Sequence, residues 1–237
     1  MRIAMWSGPR NLSTAMMYSF GARSDCAVVD EPFYAAYLAM TGLDHPLRDE
    51  ILTAQDNDPG AVAAALTRPI PGGRQHFYQK HMTQHMVPGI PRGWMADVVN
   101  VFLIRHPARV LASYAAKREN PTLEDIGFVQ QLELFEHAVA LGKTAVVIDS
   151  ADIRADPEGM LRKLCDAIGL GFEPSMLHWS QGGHAQDGVW AAHWYGAVHR
   201  STGFAGAEGK PPTMNGQESA LAEKAMMAYR RLESFKI

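Results

Sequence analysis

The residues best suited to chemistry begin with a loop near the start of the chain, where residues 7–14 read Ser-Gly-Pro-Arg-Asn-Leu-Ser-Thr. The loop lies between a short apolar run and an apolar helical pattern, so backbone N–H groups and the positive end of a helix dipole can point at one anion. Arg10, Ser13 and Thr14 add a guanidinium and two hydroxyl donors. The loop therefore indicates a phosphate-like ligand, although an ordinary turn with Ser13 as N-cap and Arg10 exposed explains the same residues.

This loop departs from the Walker A loop of ATP hydrolases, which reads G-x-x-x-x-G-K-[ST]. Leu12 and Ser13 stand where that pattern has its second Gly and its Lys. Because the Lys contacts the phosphates of the nucleotide, its absence disfavours ATP hydrolysis.

A second candidate anion site follows the clearest apolar run, residues 99–104. Arg105 comes directly after this run, and Ser113 follows eight residues later on a predicted helix. Open α/β sheets bind ligands at the carboxyl edge of their strands, where Arg105 is expected. Arg105 and Ser113 can share an anion there; alternatively, Arg105 pairs with a carboxylate beside a helix-capping turn.

The elements that must position these residues alternate between short apolar strands and amphipathic helices. This alternation predicts a three-layer α/β/α fold with a mainly parallel sheet of four or five strands, beginning with a P-loop-like strand, loop and helix. We expect one domain over residues 1–237, with a helical cap-like insertion over about 33–72 and a loop-rich region over about 175–216. The predicted strands are 3–6, 26–29, 76–81, 99–104 and 145–148, and the main predicted helices are 13–23, 108–117, 126–141, 157–168 and 218–235.

Composition narrows the class of protein. The chain has 237 residues, a formal net charge of −3, 47% hydrophobic residues and 20% charged residues, which is typical of a folded domain. The slight acidity argues against a nucleic-acid or anionic-membrane partner. Two cysteines and the lack of an apolar stretch of about 20 residues predict a soluble cytoplasmic protein. The oligomeric state stays open.

Taken together, the two anion motifs resemble the PAPS-dependent sulfotransferase superfamily. In that family a P-K-S-G-T-T-like loop holds the 5′-phosphosulfate and an R-x7-S element holds the 3′-phosphate. Residues 9–14 resemble the loop, with Arg10 at the Lys position, Leu12 in place of the Gly, and Ser13 at the first Thr. Arg105 and Ser113 have the spacing of the second element.

Further along, the resemblance extends to about residue 177. Residues 146–153 resemble the Y-E-D-L stretch, with Ser150 where the family often has Tyr, and residues 156–158 resemble the D-P-E helix start. Arg200, in His-Arg-Ser-Thr-Gly, is the nearest candidate for the closing R-K-G element. The resemblance thus implies a P-loop-related fold and a PAPS site made of Gly8, Pro9, Arg10, Asn11, Leu12, Ser13, Thr14, Arg105, Ser113 and Arg200.

Four residues are candidates for the transfer step. Arg10 supplies positive charge to the reacting group. In some branches of the family a Glu directly before Pro is the base, which implies Glu31; the rival base is His81, in a stretch similar to the K-T-H element of the cytosolic branch. In that element Lys80 stabilises the leaving phosphate. Glu31 can instead cap a helix, and His81 can be a surface residue.

The resemblance implies a sulfotransferase that moves a sulfuryl group from PAPS to a hydroxyl or amine of a small-molecule acceptor. PAPS is then a co-substrate, and no metal is expected because arginine or lysine supplies the charge. Two alternatives remain open, a P-loop-like nucleotide-binding kinase or hydrolase and a non-catalytic nucleotide-binding protein of the same fold.

Overall fold

A five-stranded parallel sheet forms the centre of the protein. The computed structural model describes residues 1–115, 121–214 and 216–237. Within these residues the strand order is β2-β3-β1-β4-β5 and every neighbouring pair is parallel. The predicted mainly parallel sheet is therefore confirmed. Its strands are β1 (Arg2–Ser7), β2 (Cys26–Asp30), β3 (His76–Met82), β4 (Val99–Ile104) and β5 (Ala145–Asp149).

Helices cover both faces of the sheet and fill the loops between strands. Their bounds are α1 (Ser13–Gly21), α2 (Tyr34–Thr41), α3 (Arg48–Ala54), α4 (Pro59–Thr67), α5 (Pro107–Ala115), α6 (Leu123–Ile126), α7 (Phe128–Ala140), α8 (Ser150–Ala155), α9 (Pro157–Ile168), α10 (Ala191–Trp194), α11 (Gly196–His199) and α12 (Gly216–Glu233). None of the described helices is long and apolar enough to cross a membrane.

The three layers follow from the alternation of side chains along the buried strands. In β4, Phe102 and Ile104 belong to a core shared with α4, α5, α7 and α12. Val101 and Leu103 point the other way, into a core shared with α1, α8 and α9. Since successive residues of a strand face opposite sides, a strand such as β4, which is apolar apart from Asn100, requires helices on both faces.

Two helix boundaries differ from the predicted ones. Ser13 is not the N-cap of α1; Leu12 occupies that position with φ 64°, and Ser13 is the first helical residue. The predicted helix 126–141 is broken by Gly127, whose φ of 69° lies in the left-handed region and separates α6 from α7. The end of the predicted helix 108–117 lies outside the described residues, which define α5 only to Ala115.

The two regions without clear strand patterns both contribute helices beside the carboxyl edge of the sheet. Residues 33–72 include α2, α3 and α4, and residues 175–216 include the short helices α10 and α11. Trp190, Ala191 and Tyr195 from the second region pack against Tyr34, Leu38 and Ile51 of the first in a small separate core. This core fixes both regions over the same edge of the sheet.

Candidate active site

A cavity of about 410 Å³ lies at the carboxyl edge of the sheet. Parallel strands end together at this edge, so loops that are distant in sequence meet there. The cavity is lined by ten of the predicted site residues, namely Pro9, Arg10, Asn11, Leu12, Ser13, Thr14, Glu31, Lys80, Arg105 and Ser113. The two anion motifs and one candidate base therefore face a single space.

The loop between β1 and α1 forms one end of the cavity. Arg10 and Leu12 have positive φ values of 59° and 64°, so Leu12 adopts a left-handed conformation that glycine adopts more easily. Within the described residues no side chain caps the start of α1, and Ser13, Thr14 and Ala15 line the cavity. The first N–H groups and the positive end of α1 are therefore available to an anion.

Two residues hold this loop on the body of the protein. Asn11 donates from Nδ2 to the carbonyl of Leu103 in β4, at 2.5 Å. Gly8 does not line the cavity; it is buried below the loop, and a Cβ atom there would lie 2.5 Å from the carbonyl oxygen of Ile126. Gly8 thus contributes to the loop by allowing close packing rather than by facing a ligand.

Two guanidinium groups contribute positive charge beside the loop. Arg10 donates from Nε to Ser113 Oγ at 3.0 Å and from Nη1 to the carbonyl of Trp194 at 3.4 Å. Arg105 donates from Nη1 to the carbonyl of Arg10 at 2.5 Å. Burial, and then the charge of Arg105, lower the pKa of Arg10 from its ordinary value. An anion placed between these groups would relieve their repulsion.

Arg105 also pairs with a carboxylate, which was the alternative explanation of its position. Arg105 Nη2 donates to Glu208 Oε1. Glu208 belongs to the loop-rich C-terminal region, and its side chain is only 3% exposed. Arg105 therefore contacts both the loop that lines the cavity and an acidic residue next to it.

At the opposite end of the cavity, Lys80 joins a buried acidic pair. Its Nζ donates to Glu31 Oε1 at 2.5 Å, to Asp30 Oδ1 at 2.8 Å and to the hydroxyl of Tyr195 at 2.7 Å. The Tyr195 hydroxyl donates to Asp30 Oδ2 at 2.7 Å and accepts from Trp190 Nε1 at 2.9 Å. Glu31 has a φ of 42°, so the chain turns sharply where β2 ends.

The charges of this network shift the pKa values of its members. Burial lowers the pKa of the Lys80 ammonium, but the carboxylates of Asp30 and Glu31 outweigh burial and hold the pKa above its usual value. Burial raises the pKa of Glu31, against the Lys80 charge and together with the Asp30 charge. Glu31 is therefore a stronger base than an exposed glutamate, while Lys80 stays protonated.

His81, the rival candidate base, does not face the cavity. It is 2% exposed, stacks on Trp6 with ring centroids 4.5 Å apart, and lies beside Phe33 and Trp94. Burial, and then the Lys80 charge, lower its pKa to about 3. Because neighbouring residues of a strand point to opposite faces, the orientation of Lys80 towards the cavity directs His81 away from it.

Arg200 also lies outside the cavity. It is exposed and follows α11, whereas Ser201 and Gly203 of the same stretch line the cavity wall. Of the stretch that resembles R-K-G, Ser201 and Gly203 therefore reach the cavity, and Arg200 does not.

A family model described as "Sulfotransferase domain" matches residues 1–235. The chain belongs to this family. Two curated relatives from Arabidopsis thaliana, named branched-chain-amino-acid aminotransferase-like proteins 1 and 2, are 37% identical over 232 residues and 35% identical over 230 residues. These matches cover 98% and 97% of this chain but 41% of each relative, so the chain spans less than half their length.

Solved structures show the same fold for this sulfotransferase-family chain. The sulfotransferase domain from the curacin biosynthetic pathway superposes with a TM-score of 0.59 at 17% identity, over 94% of this chain and 96% of that one. A sulfotransferase from Alicyclobacillus acidocaldarius superposes with a TM-score of 0.50 at 12% identity, over 73% of this chain and 87% of that one.

The motifs did not identify two cavity residues of this sulfotransferase-family chain, His85 and Tyr195. His85 stacks on Tyr34 and Tyr37 with centroids 4.5 and 4.8 Å away, and its Nε2 lies 3.9 Å from Glu31 Oε2. Its buried Nδ1 has no hydrogen-bond partner among the described residues. Both residues reach Glu31 only through tertiary packing, so no local pattern signals them.

Proposed function

We propose that this chain transfers a sulfuryl group from PAPS to a hydroxyl or amine of a small-molecule acceptor. The observation that carries the proposal is the shared cavity, in which Arg10, Arg105 and the start of α1 lie at one end and Glu31 with Lys80 at the other. Group transfer of this kind needs an anion site and a base aligned across one space. The family of the chain supports the same reaction.

The residues present fit the charge of the proposed donor. PAPS carries a phosphosulfate and a 3′-phosphate, and the cavity offers two guanidinium groups, the hydroxyls of Ser13, Thr14 and Ser113, and the free N–H groups of α1. These donors suit tetrahedral anions because helix starts and arginine forks bind phosphate oxygens. We therefore assign residues 9–14 to the phosphosulfate and Arg105 with Ser113 to the 3′-phosphate.

Glu31 is the proposed base. Its carboxylate accepts the proton of the acceptor hydroxyl or amine while the acceptor atom forms a bond to sulfur and the bond from sulfur to the 5′-phosphate oxygen breaks. The electron pair of the broken bond stays on that phosphate, which leaves as part of PAP (3′-phosphoadenosine 5′-phosphate). Arg10 and the protonated Lys80 offset the negative charge that develops on the transferred group and on the leaving oxygen.

The cavity beyond Glu31 is the proposed acceptor end. Tyr34, His45 and His85 line it, which gives aromatic walls with a few polar atoms. Such a surface suits a small organic acceptor, since aromatic faces bind its apolar part and polar tips orient the reacting group.

The two alternative functions receive less support from the site. A kinase or hydrolase would need the Walker lysine, and the loop holds Arg10 and Ser13 instead. A non-catalytic nucleotide-binding protein has no need for a carboxylate at the reacting position, yet Glu31 faces the cavity.

Both cysteines are buried and unpaired, which supports a reducing compartment such as the cytoplasm as the proposed location.

Thermal unfolding with PAP tests the donor site. Saturating PAP should raise the Tm of the wild-type protein, since a ligand at a hundred times its Kd adds about 2.7 kcal/mol to the free energy of unfolding. Arg105→Ala should lose this shift. Arg162→Ala, which removes an exposed arginine that pairs with Glu158 and lies over the Phe172 ring, should keep it.

The transfer itself is tested with radiolabelled PAPS and a panel of small hydroxyl and amine acceptors. Label should appear on at least one acceptor with the wild-type protein. A wild-type protein that shows neither a PAP-dependent Tm shift nor label transfer would contradict the proposed function, and ATP turnover with Mg²⁺ would favour the kinase or hydrolase instead.

A further inference from the structure

Three arginines converge on the single carboxylate of Glu208. Arg105 lies after β4, Arg109 in the first turns of α5 and Arg154 in α8. Arg105 Nη2 and Arg154 Nη1 both contact Glu208 Oε1, the latter at 2.5 Å, and Arg109 Nε lies 3.1 Å from Glu208 Oε2. Residues far apart in sequence thus form one cluster around a side chain that is 3% exposed.

The cluster carries more positive charge than Glu208 neutralises. Three guanidinium groups share one carboxylate, whereas the buried Arg23 elsewhere in the protein contacts two carboxylates, Asp25 and Glu173. Burial acts to raise the pKa of Glu208, but the hydrogen bond from Arg105 and the charges of the arginines hold the pKa below its usual value. Glu208 is therefore ionised, and among the described residues of the cluster its one negative charge faces three positive charges.

The segment that carries Glu208 connects the cluster to the cavity. Gly203 and Ala205 line the cavity wall, and the carbonyls of Gly206 and Gly209 accept hydrogen bonds from Arg154 and Arg109. We call residues 203–209 the strap. Arg105 belongs both to the cavity, which it lines, and to the cluster, because it also binds Glu208.

We propose that Arg105, Arg109 and Arg154 form one anion site, that the Glu208 carboxylate occupies it in the free protein, and that the 3′-phosphate of the donor displaces Glu208. This inference rests on the proposed function and adds Arg109, Arg154 and Glu208 to it. A phosphate brings more acceptor oxygens and more negative charge than a carboxylate, so the exchange favours the ligand. Glu208 then determines how strongly binding depends on the 3′-phosphate.

Calorimetric titration of PAP and of 5′-AMP, which lacks the 3′-phosphate, tests the exchange. Glu208→Gln removes the competing charge at nearly constant shape, so PAP should bind about tenfold more tightly. The Kd of 5′-AMP should stay within about twofold, because 5′-AMP does not reach the cluster. Glu158→Gln, which removes an exposed carboxylate paired with Arg162, should leave both affinities unchanged.

Two further variants test the exchange even if Glu208→Gln folds poorly. Glu208→Asp retains the charge on a shorter side chain and should tighten PAP binding to an intermediate degree. The double variant Glu208→Gln with Arg154→Gln should bind PAP about tenfold more weakly than Glu208→Gln alone. Without the Glu208 carboxylate, Arg154 binds only the phosphate, so its loss weakens PAP binding directly.

Each outcome decides the proposal. The inference is wrong if Glu208→Gln leaves PAP affinity unchanged or lowers it, or if it changes the affinities for PAP and 5′-AMP equally. In those cases Glu208 only positions Arg105. PAP binding by the wild-type protein would still support the donor site. If none of the variants nor the wild-type protein binds PAP, the proposed function fails first and the inference fails with it.

Discussion

At the scale of single residues, the site depends on how Glu31 and Lys80 share charge. Two carboxylates and one ammonium are buried together with the Tyr195 hydroxyl, and Lys80 Nζ lies 2.5 Å from Glu31 Oε1 and 2.8 Å from Asp30 Oδ1, while the Tyr195 hydroxyl lies 2.7 Å from Asp30 Oδ2. Asp30 also contacts Lys80, and burial together with the Asp30 charge raises the pKa of Glu31 despite the Lys80 charge. This division of roles explains why two adjacent acidic residues are used where one would suffice to bind a lysine.

Replacing the proposed base gives a sharp prediction at this scale. Glu31→Gln keeps the shape and the hydrogen bond to Lys80 but accepts no proton, so kcat should fall by about 10²–10⁴ while PAP binds as before. In the wild-type protein the rate should fall as pH decreases through the raised pKa of Glu31, because the protonated acid is inactive. Rates measured against pH check both points.

An exposed glutamate provides the matched control for this prediction. Glu133→Gln removes a carboxylate that is 53% exposed and forms a long ion pair of 3.7 Å with Arg92. This variant should therefore retain the wild-type rate. A Glu31→Gln variant with more than half the wild-type rate would contradict the assignment of the base.

At the scale of elements, the conformation of the loop between β1 and α1 depends on its packing against β4 and α6 as well as on its own sequence. Arg10 and Leu12 adopt left-handed backbone conformations that cost free energy for residues with side chains. Asn11 and Gly8 compensate by binding β4 and by allowing close contact with the end of α6. The loop can therefore present its N–H groups to an anion without the glycine that the family has at the position of Leu12.

Gly8→Ala tests how closely this loop must pack. The new Cβ would lie 2.5 Å from the carbonyl oxygen of Ile126, so the loop or α6 must shift. We expect the free energy of unfolding to fall by about 1–3 kcal/mol, and PAP to bind more weakly because residues 9–14 move with Gly8.

Chemical denaturation and PAP titration measure these two effects. Gly171→Ala is the matched control, because its Cβ has no atom within 4 Å and the residue lies far from the loop in sequence. Equal stability of the Gly8→Ala and Gly171→Ala variants would show that the close contact with Ile126 is unimportant.

At the scale of the whole molecule, the aromatic core beneath the cavity couples stability to pH. His81 is enclosed by Trp6, Phe33 and Trp94 on the face of the sheet opposite to Lys80. Its pKa of about 3 means that the folded protein holds it neutral, whereas the unfolded chain binds a proton near pH 6.5. The unfolded state is therefore favoured progressively as the pH falls below that value.

His81→Phe should remove this part of the acid sensitivity. Between about pH 6 and pH 4, His81 contributes a loss of about 1.4 kcal/mol of unfolding free energy per pH unit, and the variant should show a slope shallower by that amount. Above pH 7 the contribution is constant, because both states are neutral there. The phenyl ring suits the surrounding aromatic side chains, so the variant should fold.

Denaturant unfolding at several pH values measures the slope. His178→Gln, at an exposed histidine, should keep the wild-type slope. The same slope in His81→Phe and in the wild-type protein would show that His81 is protonated in the folded state, contrary to its burial.

The features that depend on the order of residues along the chain could be predicted before the fold was known. Short apolar runs alternating with amphipathic helices predicted the parallel sheet, and the positions of residues 9–14 and Arg105 directly after strands placed them at one edge. The spacing of Arg105 and Ser113 pointed to an anion site through its resemblance to the R-x7-S element. These features were predictable because the alternation of side chains along a strand and the position where a strand ends are local properties of the sequence.

Which side chains meet in the cavity depends on tertiary packing. Tertiary packing brought Glu31 to the cavity and buried His81 away from it, left Arg200 outside the cavity, and brought Tyr195 and Glu208 into contact with Lys80 and Arg105. The physical reason is that the face a strand residue presents is fixed by its neighbours in the sheet, and that contacts across more than a hundred residues depend on how the helices and the C-terminal region pack.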